Sequence, residues 1–254
     1  MQANATYRDL AGKSVYITGG GSGIGASLTD GFMAQGARVA FIGRSDASAF
    51  VDEMKDKHGV APLFIQGDIS NISVLQDSMK QAAAAHGPID VLVNNAANDQ
   101  RHSLEEATEE FWDQMQAINL KAYFFACQEA ARQMTHGGAI INFSSISYIM
   151  GNAGYASYTT ANAGITGMTR SLARELGPRG IRMNALAPGW VLTQKQLDKW
   201  ATPEDLASHL ERQCLKEHLV PSDIVEPTLF LASQASRMMT GQCMAVDGGV
   251  VVSG

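Results

Sequence analysis

The chain has 254 residues, of which 45% are apolar, and a formal net charge of -6. This length suits one large domain, and the negative charge excludes the broad basic surface typical of nucleic-acid-binding proteins. No apolar run approaches the roughly 18 residues that a membrane span needs, and the first ten residues contain no apolar signal core. We therefore expect a soluble, cytoplasmic protein that binds neither nucleic acid nor membrane.

Short β-branched segments alternate with longer helical patterns along the chain. The predicted strands cover residues 14–19, 37–43, 62–68, 89–96, 139–145, 181–189 and 243–249. The predicted helices cover residues 25–35, 47–58, 71–86, 108–134 and 155–176. Apolar strands separated by helices are typical of a parallel sheet that is covered on both faces. We predict the α/β class, with residues 1–254 in a single domain around a doubly wound, Rossmann-type sheet of about seven strands.

Residues 192–220 interrupt this alternation. They are polar and helical in pattern, with the sequence KQLDKWATPEDLASHLERQCLKEH, and they contain no predicted strand. An insertion after the sixth strand would lie over the carboxyl ends of the strands, where ligands bind in open α/β sheets. We predict a helical lid over a substrate site.

A glycine-rich turn, TGGGSGIG at residues 18–25, follows the first strand and opens the first helix. Glycines allow a tight turn and let backbone N–H groups approach a pyrophosphate, whose charge the helix N-terminus stabilises. The turn occurs between a strand and a helix, as dinucleotide binding requires, so it predicts a dinucleotide site.

The end of the second strand bears on the choice between NAD and NADP. An acid is expected there in an NAD-binding protein, but the chain has Gly43 followed by Arg44. Glycine removes a carboxylate that would repel a 2′-phosphate, and arginine offers donors that suit one. This favours NADP, with NAD as the alternative, because the glycine-rich turn has Ser22 and no basic residue that could also bind the phosphate.

Several further motifs stand in a characteristic order: NNAA at 94–97, INLKAYFF around Asn119, NFSSIS around Ser145, Tyr158, PGWVLT at 188–193 and VDGG at 246–249. With the glycine-rich turn, they resemble the short-chain dehydrogenase/reductase family over almost the whole chain. The resemblance implies that Asn94 braces the sheet and that the protein is a homotetramer. It also implies catalytic roles for Ser145, Tyr158, Asn119 and, in the position of the family's lysine, Asn162. Tyr155 is a competing candidate, but only ten residues separate it from Ser145, whereas the family spacing is thirteen.

The same resemblance implies the residues that contact the cofactor, with Asp68 at the adenine. They are Gly19, Gly21, Ser22, Gly23, Ile24, Gly25, Arg44, Ser45, Asp68, Ile69, Asn95, Ala96, Tyr158, Asn162, Pro188, Gly189, Val191 and Thr193.

A narrower resemblance, to bacterial aldose 1-dehydrogenases of the xylose-dehydrogenase type, is carried by NDQRH at 98–102, NFSSIS, TRSLARELG and the lid sequence. It implies oxidation of a cyclic sugar at C1 to a lactone. The dense donors and acceptors after the fourth strand suit a polyhydroxylated ligand, although they also suit a solvated loop. The predicted substrate residues are Asn98, Asp99, Arg101, His102, Ser147 and Trp190. We expect no metal ion, and another small polyol is the alternative substrate of a dehydrogenase or carbonyl reductase.

Asn162 raises a chemical difficulty. A tyrosine has a pKa of about 10, too high for a base at neutral pH, and the family's lysine one helical turn away favours the tyrosinate. An amide at that position can still bond a ribose hydroxyl, but it carries no charge. Lys121 would point to a different side of its helix from Asn119, so Lys195, in the lid, is the candidate substitute for the missing charge. We predict activity that is impaired at neutral pH, and a catalytically silent dinucleotide-binding protein is the alternative.

Overall fold

Seven parallel strands form one sheet in the computed structural model, which describes residues 5–252. The strands are β1 (Ser14–Thr18), β2 (Arg38–Gly43), β3 (Leu63–Gln66), β4 (Val91–Asn94), β5 (Gly138–Phe143), β6 (Ile181–Pro188) and β7 (Cys243–Val246). Their spatial order is β3-β2-β1-β4-β5-β6-β7. The order reverses between β1 and β4, which is where open α/β sheets form a ligand crevice. The predicted fold class is confirmed, although several strands are shorter than predicted because their last residues turn into this crevice.

The helices cover both faces of the sheet. They are α1 (Gly23–Ala34), α2 (Ser48–His58), α3 (Ile72–His86), α4 (Glu109–Gln116), α5 (Ala122–Gln133), α6 (Ser147–Met150), α7 (Ala156–Leu176), α8 (Gln194–Lys199), α9 (Pro203–Arg212) and α10 (Val225–Ala232). Short 3-10 helices span Arg8–Leu10, Gly177–Arg179, Pro221–Ile224 and Gln234–Ser236. No helix of the described chain is long and apolar enough to cross a membrane.

Two hydrophobic cores lie on opposite faces of the sheet. Val15 and Ile17 of β1 pack in one core with Phe32 of α1, whereas Tyr16 packs in the other with Met79 of α3. Successive side chains of a strand point to opposite faces, so a strand buried on both faces is apolar at nearly every position. The continuous apolar runs in the sequence follow from this arrangement.

The long helix predicted over residues 108–134 is interrupted. A π-helical turn, Ala117–Lys121, separates α4 from α5. Such a turn contains an extra residue and is frequent at functional sites. It contains Asn119, which is buried.

The predicted lid, residues 192–220, is helical, with α8 and α9. Thr193 and Thr202 accept hydrogen bonds from the backbone N–H groups of Gln196 and Asp205 and so begin the two helices. The segment contains no strand, and an isolated parallel bridge pairs Val191, just before it, with Leu219. This bridge brings the ends of the segment together.

Helix α10 was not predicted from the sequence. Its residues VEPTLFLA are mostly apolar on every side, so they lack the alternation with polar residues that reveals a half-buried helix. The helix packs against α1, and Thr228, Leu229 and Leu231 are buried.

Candidate active site

A cavity of about 970 Å³ lies across the carboxyl ends of the strands, and residues of the predicted lid form part of its wall. Loops after β1, β2, β3, β4, β5 and β6 contribute to its wall, as expected for an open α/β sheet. Every predicted catalytic, cofactor and substrate residue lines this cavity except His102. The topology therefore gathers segments that are far apart in sequence around one space.

The glycine-rich turn forms one end of the cavity. Gly19 and Gly23 have φ angles of +72° and +53°, which favour glycine. A Cβ on Gly25 would lie 1.8 Å from the carbonyl oxygen of Gly19, so the first turn of α1 approaches the strand end more closely than a side chain allows. The side chain of Asn95 donates to the carbonyls of Thr18 and Gly19 and holds this strand end against the loop after β4.

The segment after β2 lies beside this turn. Gly43, Arg44 and Ser45 line the cavity, and Arg44 is exposed. A Cβ on Gly43 would make only ordinary contact, at 3.7 Å, with the ring of Phe64, so this position has room for a side chain. Asp46, which sequence reasoning missed, also lines the cavity, and its carboxylate accepts two hydrogen bonds from Ser48.

Asp68 and Ile69 line the cavity next to this segment. The Asp68 carboxylate accepts hydrogen bonds from the backbone N–H and the hydroxyl of Ser70, at 2.9 and 2.8 Å. These bonds fix the side chain at the end of the loop after β3.

Tyr158 and Asn162 occupy successive turns of α7. The side-chain N–H of Asn162 donates to the backbone carbonyl of Tyr158 at 2.8 Å, and the hydroxyl of Ser144 donates to the carbonyl of Asn162 at 3.0 Å. Asn162 is buried, with 2% exposure, and no lysine occupies its place beside the phenol.

Burial of the phenol and the negative charge of Asp99 raise the pKa of Tyr158 to about 12. Hydrogen bonds from Ser145 and Asn162 oppose this rise without cancelling it. In the chain without ligands the phenol is therefore protonated at neutral pH.

Asn119 and the loop after β4 are held together by two hydrogen bonds. The side-chain oxygen of Asn119 accepts from the N–H of Asn98 at 2.8 Å, and its side-chain nitrogen donates to the carbonyl of Asn98 at 3.0 Å. The π-helical turn thus fixes the start of the predicted substrate loop. Asn94 is buried and donates to Asn142 of β5 at 2.9 Å, which agrees with its predicted bracing role in the sheet.

His102 is the one predicted substrate residue that the structure does not bring into the cavity. Its Nδ1 donates to the carbonyl of Ser103, so its Nε2 is free to accept from the N–H of Ser157, and its ring packs on Phe111. The first N–H groups of a helix lack partners within the helix, and the imidazole satisfies one of them at the start of α7. His102 therefore faces this helix and lies outside the main cavity.

The remaining substrate residues meet the lid. Arg101 lies between two aromatic rings, 5.1 Å from the centre of Tyr155 and 4.4 Å from that of Trp200. The indole N–H of Trp190 donates to Gln196 at 2.9 Å, and its ring packs edge-on against His209. The lid residues Gln196 and His209 line the cavity but were missed, because no local pattern in the sequence shows which face of a short helix turns inward.

Comparison with known proteins places this geometry in a family. Residues 19–251 match a family model described as enoyl-(acyl carrier protein) reductase. The chain is 47% identical to a probable galactose dehydrogenase of Rhizobium meliloti (strain 1021), over 97% of this chain and 98% of that protein. It is 44% identical to a D-xylose 1-dehydrogenase of Caulobacter vibrioides (strain NA1000 / CB15N), over 97% of this chain and 99% of that protein.

Solved structures agree. A putative short-chain alcohol dehydrogenase from Sinorhizobium meliloti 1021 superimposes with a TM-score of 0.91 at 31% identity, covering 96% of this chain and 98% of that one. A blue fluorescent protein from a metagenomic library, in complex with NADPH, gives a TM-score of 0.89 at 36% identity, covering 96% and 100%. The chain belongs to the short-chain dehydrogenase/reductase family of oxidoreductases.

Proposed function

We propose that the protein oxidises a cyclic aldose at C1 to a lactone, with hydride transfer to a nicotinamide dinucleotide. The observation that carries this proposal is the similarity, at 47% and 44% identity over nearly the whole chain, to proteins named as a galactose and a D-xylose dehydrogenase. The polar residues around the substrate end of the cavity support it, because a sugar presents hydroxyl groups on every side. In this proposal residues 192–220 are the substrate lid of a single domain.

The residues present fit a dinucleotide. Gly19, Gly21, Gly23 and Gly25 of the turn line the cavity without a side chain, and backbone N–H groups at a helix N-terminus stabilise a pyrophosphate. When bound, the nicotinamide supplies the hydride acceptor. Asp68, Ile69, Asn95 and Ala96 would hold the adenosine side and centre, and the segment from Pro188 to Thr193 the nicotinamide side.

NADP is the preferred cofactor in this proposal. Arg44 is exposed at the cavity edge and offers donors to a 2′-phosphate, and Gly43 removes the acid that would repel one. Asp46 weakens the preference for NADP, because it lines the cavity beside Arg44 and its carboxylate would repel a 2′-phosphate. NADPH is bound by the structural relative named above.

The chain's own residues then divide the chemistry. Tyr158 accepts the proton of the sugar C1 hydroxyl, and Ser145 holds the reacting oxygen by a hydrogen bond. Asn119 fixes the backbone at Asn98, so that the substrate loop keeps its place. Asn162 keeps a hydrogen-bonding amide for the cofactor ribose but lacks the charge that would favour a tyrosinate.

The substrate is enclosed by Ser147 and Tyr155 from the β5–α7 region, by Trp190 after β6, and by Asn98 and Arg101 after β4. Trp190 offers an apolar face to the sugar ring. Asp99 is less available to sugar hydroxyls than the sequence suggests, because both of its carboxylate oxygens already accept hydrogen bonds from the lid.

A second candidate is a catalytically silent dinucleotide-binding protein. The absence of a lysine at Asn162, together with the raised pKa of Tyr158, favours it. The intact Ser145, Tyr158 and polar substrate end favour an enzyme.

The test is turnover of a panel of aldoses and small polyols with NADP and NAD between pH 7 and the alkaline limit of stability. We expect an aldose to be oxidised best, with a rate that rises with pH and is lost in Tyr158→Phe. Cofactor binding without turnover of any aldose across that range would favour the silent protein, and faster oxidation of an acyclic polyol would favour the other dehydrogenase activity.

A further inference from the structure

The contact between the substrate loop and the lid is concentrated on one carboxylate. Oδ1 of Asp99 accepts from Nζ of Lys195 at 2.5 Å, and Oδ2 accepts from Nε2 of Gln196 at 2.7 Å. Lys195 and Gln196 are adjacent residues in the first turn of α8. The side chain of Asp99, after β4, thus bonds the first turn of α8 to the loop on the other side of the cavity.

Gln196 also connects α8 to the loop after β6. Its side-chain oxygen accepts from the indole N–H of Trp190, which follows β6. Helix α8 has only six residues, so its own hydrogen bonds stabilise it little. Its position therefore depends on these side-chain contacts with the loops after β4 and β6.

Asp99 and Lys195 differ in exposure. The Asp99 side chain is 23% exposed, whereas that of Lys195 is 49% exposed. Burial alone would raise the pKa of Asp99, but the hydrogen bonds and charge of Lys195, with Gln196, hold it below its ordinary value. The carboxylate is therefore charged at neutral pH, and its negative charge is matched by the ammonium of the lid.

The charge of Asp99 also reaches Tyr158. The groups that face the same cavity as the phenol and interact with its charge are Asp99 from the loop after β4, Tyr155 from the start of α7, Ser145 from the loop after β5 and Tyr123 from α5. The ring of Tyr155 lies 6.2 Å from that of Tyr158. Lys195 is paired with Asp99, and Arg101 lies over the ring of Tyr155. With asparagine at position 162, Asp99 is the one of these facing groups that carries a charge at neutral pH, and its sign opposes a tyrosinate.

We propose that Asp99 and Lys195 are positioning residues that couple lid closure to the proton acceptor. Their ion pair fastens α8 over the cavity, and the same contact offsets the negative charge that Asp99 otherwise places near Tyr158. When the lid opens, the Asp99 carboxylate loses its partner and its negative charge disfavours the tyrosinate of Tyr158. When the lid closes, Lys195 offsets that charge and the tyrosinate is disfavoured less. The proposal rests on Tyr158 being the base of the proposed function.

Two substitutions separate this coupling from a purely structural role. Lys195→Gln and Asp99→Asn both remove the ion pair, so both should speed hydrogen exchange of the α8 amides about two- to fivefold. Their effects on Tyr158 should be opposite, because Lys195→Gln leaves the carboxylate unpaired and Asp99→Asn removes it. We expect the midpoint of tyrosinate formation to rise by about 0.5–1 pH unit in the first and to fall by about as much in the second, a three- to tenfold change at fixed pH.

The midpoint is measured by tyrosinate absorbance in the Asn162→Lys background, which brings it into the accessible pH range, with the Tyr158→Phe spectrum subtracted. The rising limb of the pH–rate profile is measured in the native background. The absorbance and hydrogen-exchange measurements need no substrate. They therefore test the coupling even if the protein does not oxidise an aldose.

Lys199→Gln is the matched control, because it makes the same charge change on the same helix. Lys199 is exposed, and within residues 5–252 no carboxylate pairs with it. We expect unchanged exchange and an unchanged midpoint for this variant. The coupling is overturned if Lys195→Gln and Asp99→Asn shift the midpoint in the same direction or leave it unchanged, if α8 exchange is unaffected, or if Lys199→Gln reproduces the effects.

Discussion

Ser145, Tyr158 and Asn162 meet in one site although only their spacing connects them in the sequence. A helix places residues four apart, such as Tyr158 and Asn162, on one face, whereas the place of Ser145 beside them was predicted from the family resemblance. His102 does not line the cavity as predicted, because its ring turns to the N-terminus of α7, which nothing in the sequence shows. The hydrogen bonds from Lys195 and Gln196 to Asp99 could not be predicted from the sequence either, because they join residues almost a hundred positions apart.

Arg44 is predicted to give the preference for NADP. Replacing it with alanine removes charge-assisted hydrogen bonds to the 2′-phosphate, so the dissociation constant for NADP should rise about 10- to 100-fold while that for NAD stays nearly constant. Calorimetric titration of both cofactors measures this.

Gly43→Asp is the complementary variant, because position 43 has room for a side chain. It should weaken NADP binding and strengthen NAD binding. Tighter binding of NAD than NADP by the native chain, or unchanged NADP affinity in Arg44→Ala, would refute the assignment.

At the scale of elements, the turn between β1 and α1 depends on close backbone approach. Gly25→Ala forces its methyl group against the carbonyl of Gly19 and should lower the free energy of unfolding by about 2–4 kcal/mol and greatly weaken dinucleotide binding. Gly167→Ala, in α7, is the control, because nothing lies within 4 Å of the added methyl group. It should raise stability by about 0.5–1 kcal/mol. Chemical denaturation measures the free energy of unfolding of both variants. Equal values would contradict the need for close backbone approach at Gly25.

Arg182 of β6 caps the C-terminal end of α10. Its guanidinium donates to the backbone carbonyls of Leu231, Ala232 and Ser233 and to the hydroxyl of Ser236. Arg182→Met leaves these carbonyls without their donor, and we expect a loss of about 2–4 kcal/mol in denaturation experiments. Arg170→Met, at an exposed position of α7, should change stability by less than about 0.5 kcal/mol. A similar small change in both variants would show that the arginine does not hold α10.

The strands were predictable because each is a nearly continuous apolar run, and α7 was predictable because its helical pattern persists over 21 residues. The π-helical turn Ala117–Lys121 was not, since one extra residue in a long helical pattern changes the register without any composition signal. Helix α10 was missed because it is apolar on most sides, so its period could not be read.

At the scale of the whole molecule, we predict a homotetramer, as the family resemblance implies. Trp112 of α4 and Phe124 of α5 are large apolar side chains that remain 39% and 41% exposed in the single chain, and contact with another subunit would cover them. Light scattering should give about four times the chain mass of 27.1 kDa. Phe124→Lys should lower the mass, whereas Leu104→Lys, in a loop, should leave it unchanged. A monomeric native chain would contradict the prediction.

The pH dependence of turnover tests the proposed chemistry most directly, because Tyr158 is the proposed base and the uncharged Asn162 leaves its pKa high. With a pKa of about 12 for Tyr158, only about one molecule in 10⁵ carries the tyrosinate at pH 7. Turnover of the best aldose should therefore rise about tenfold per pH unit up to the alkaline limit of stability. Asn162→Lys should move this rising limb down by about two units and raise neutral turnover about a hundredfold, and Tyr158→Phe should abolish the pH-dependent activity in both backgrounds. A native chain that turns over well at pH 7, with the same profile after Asn162→Lys, would contradict the account.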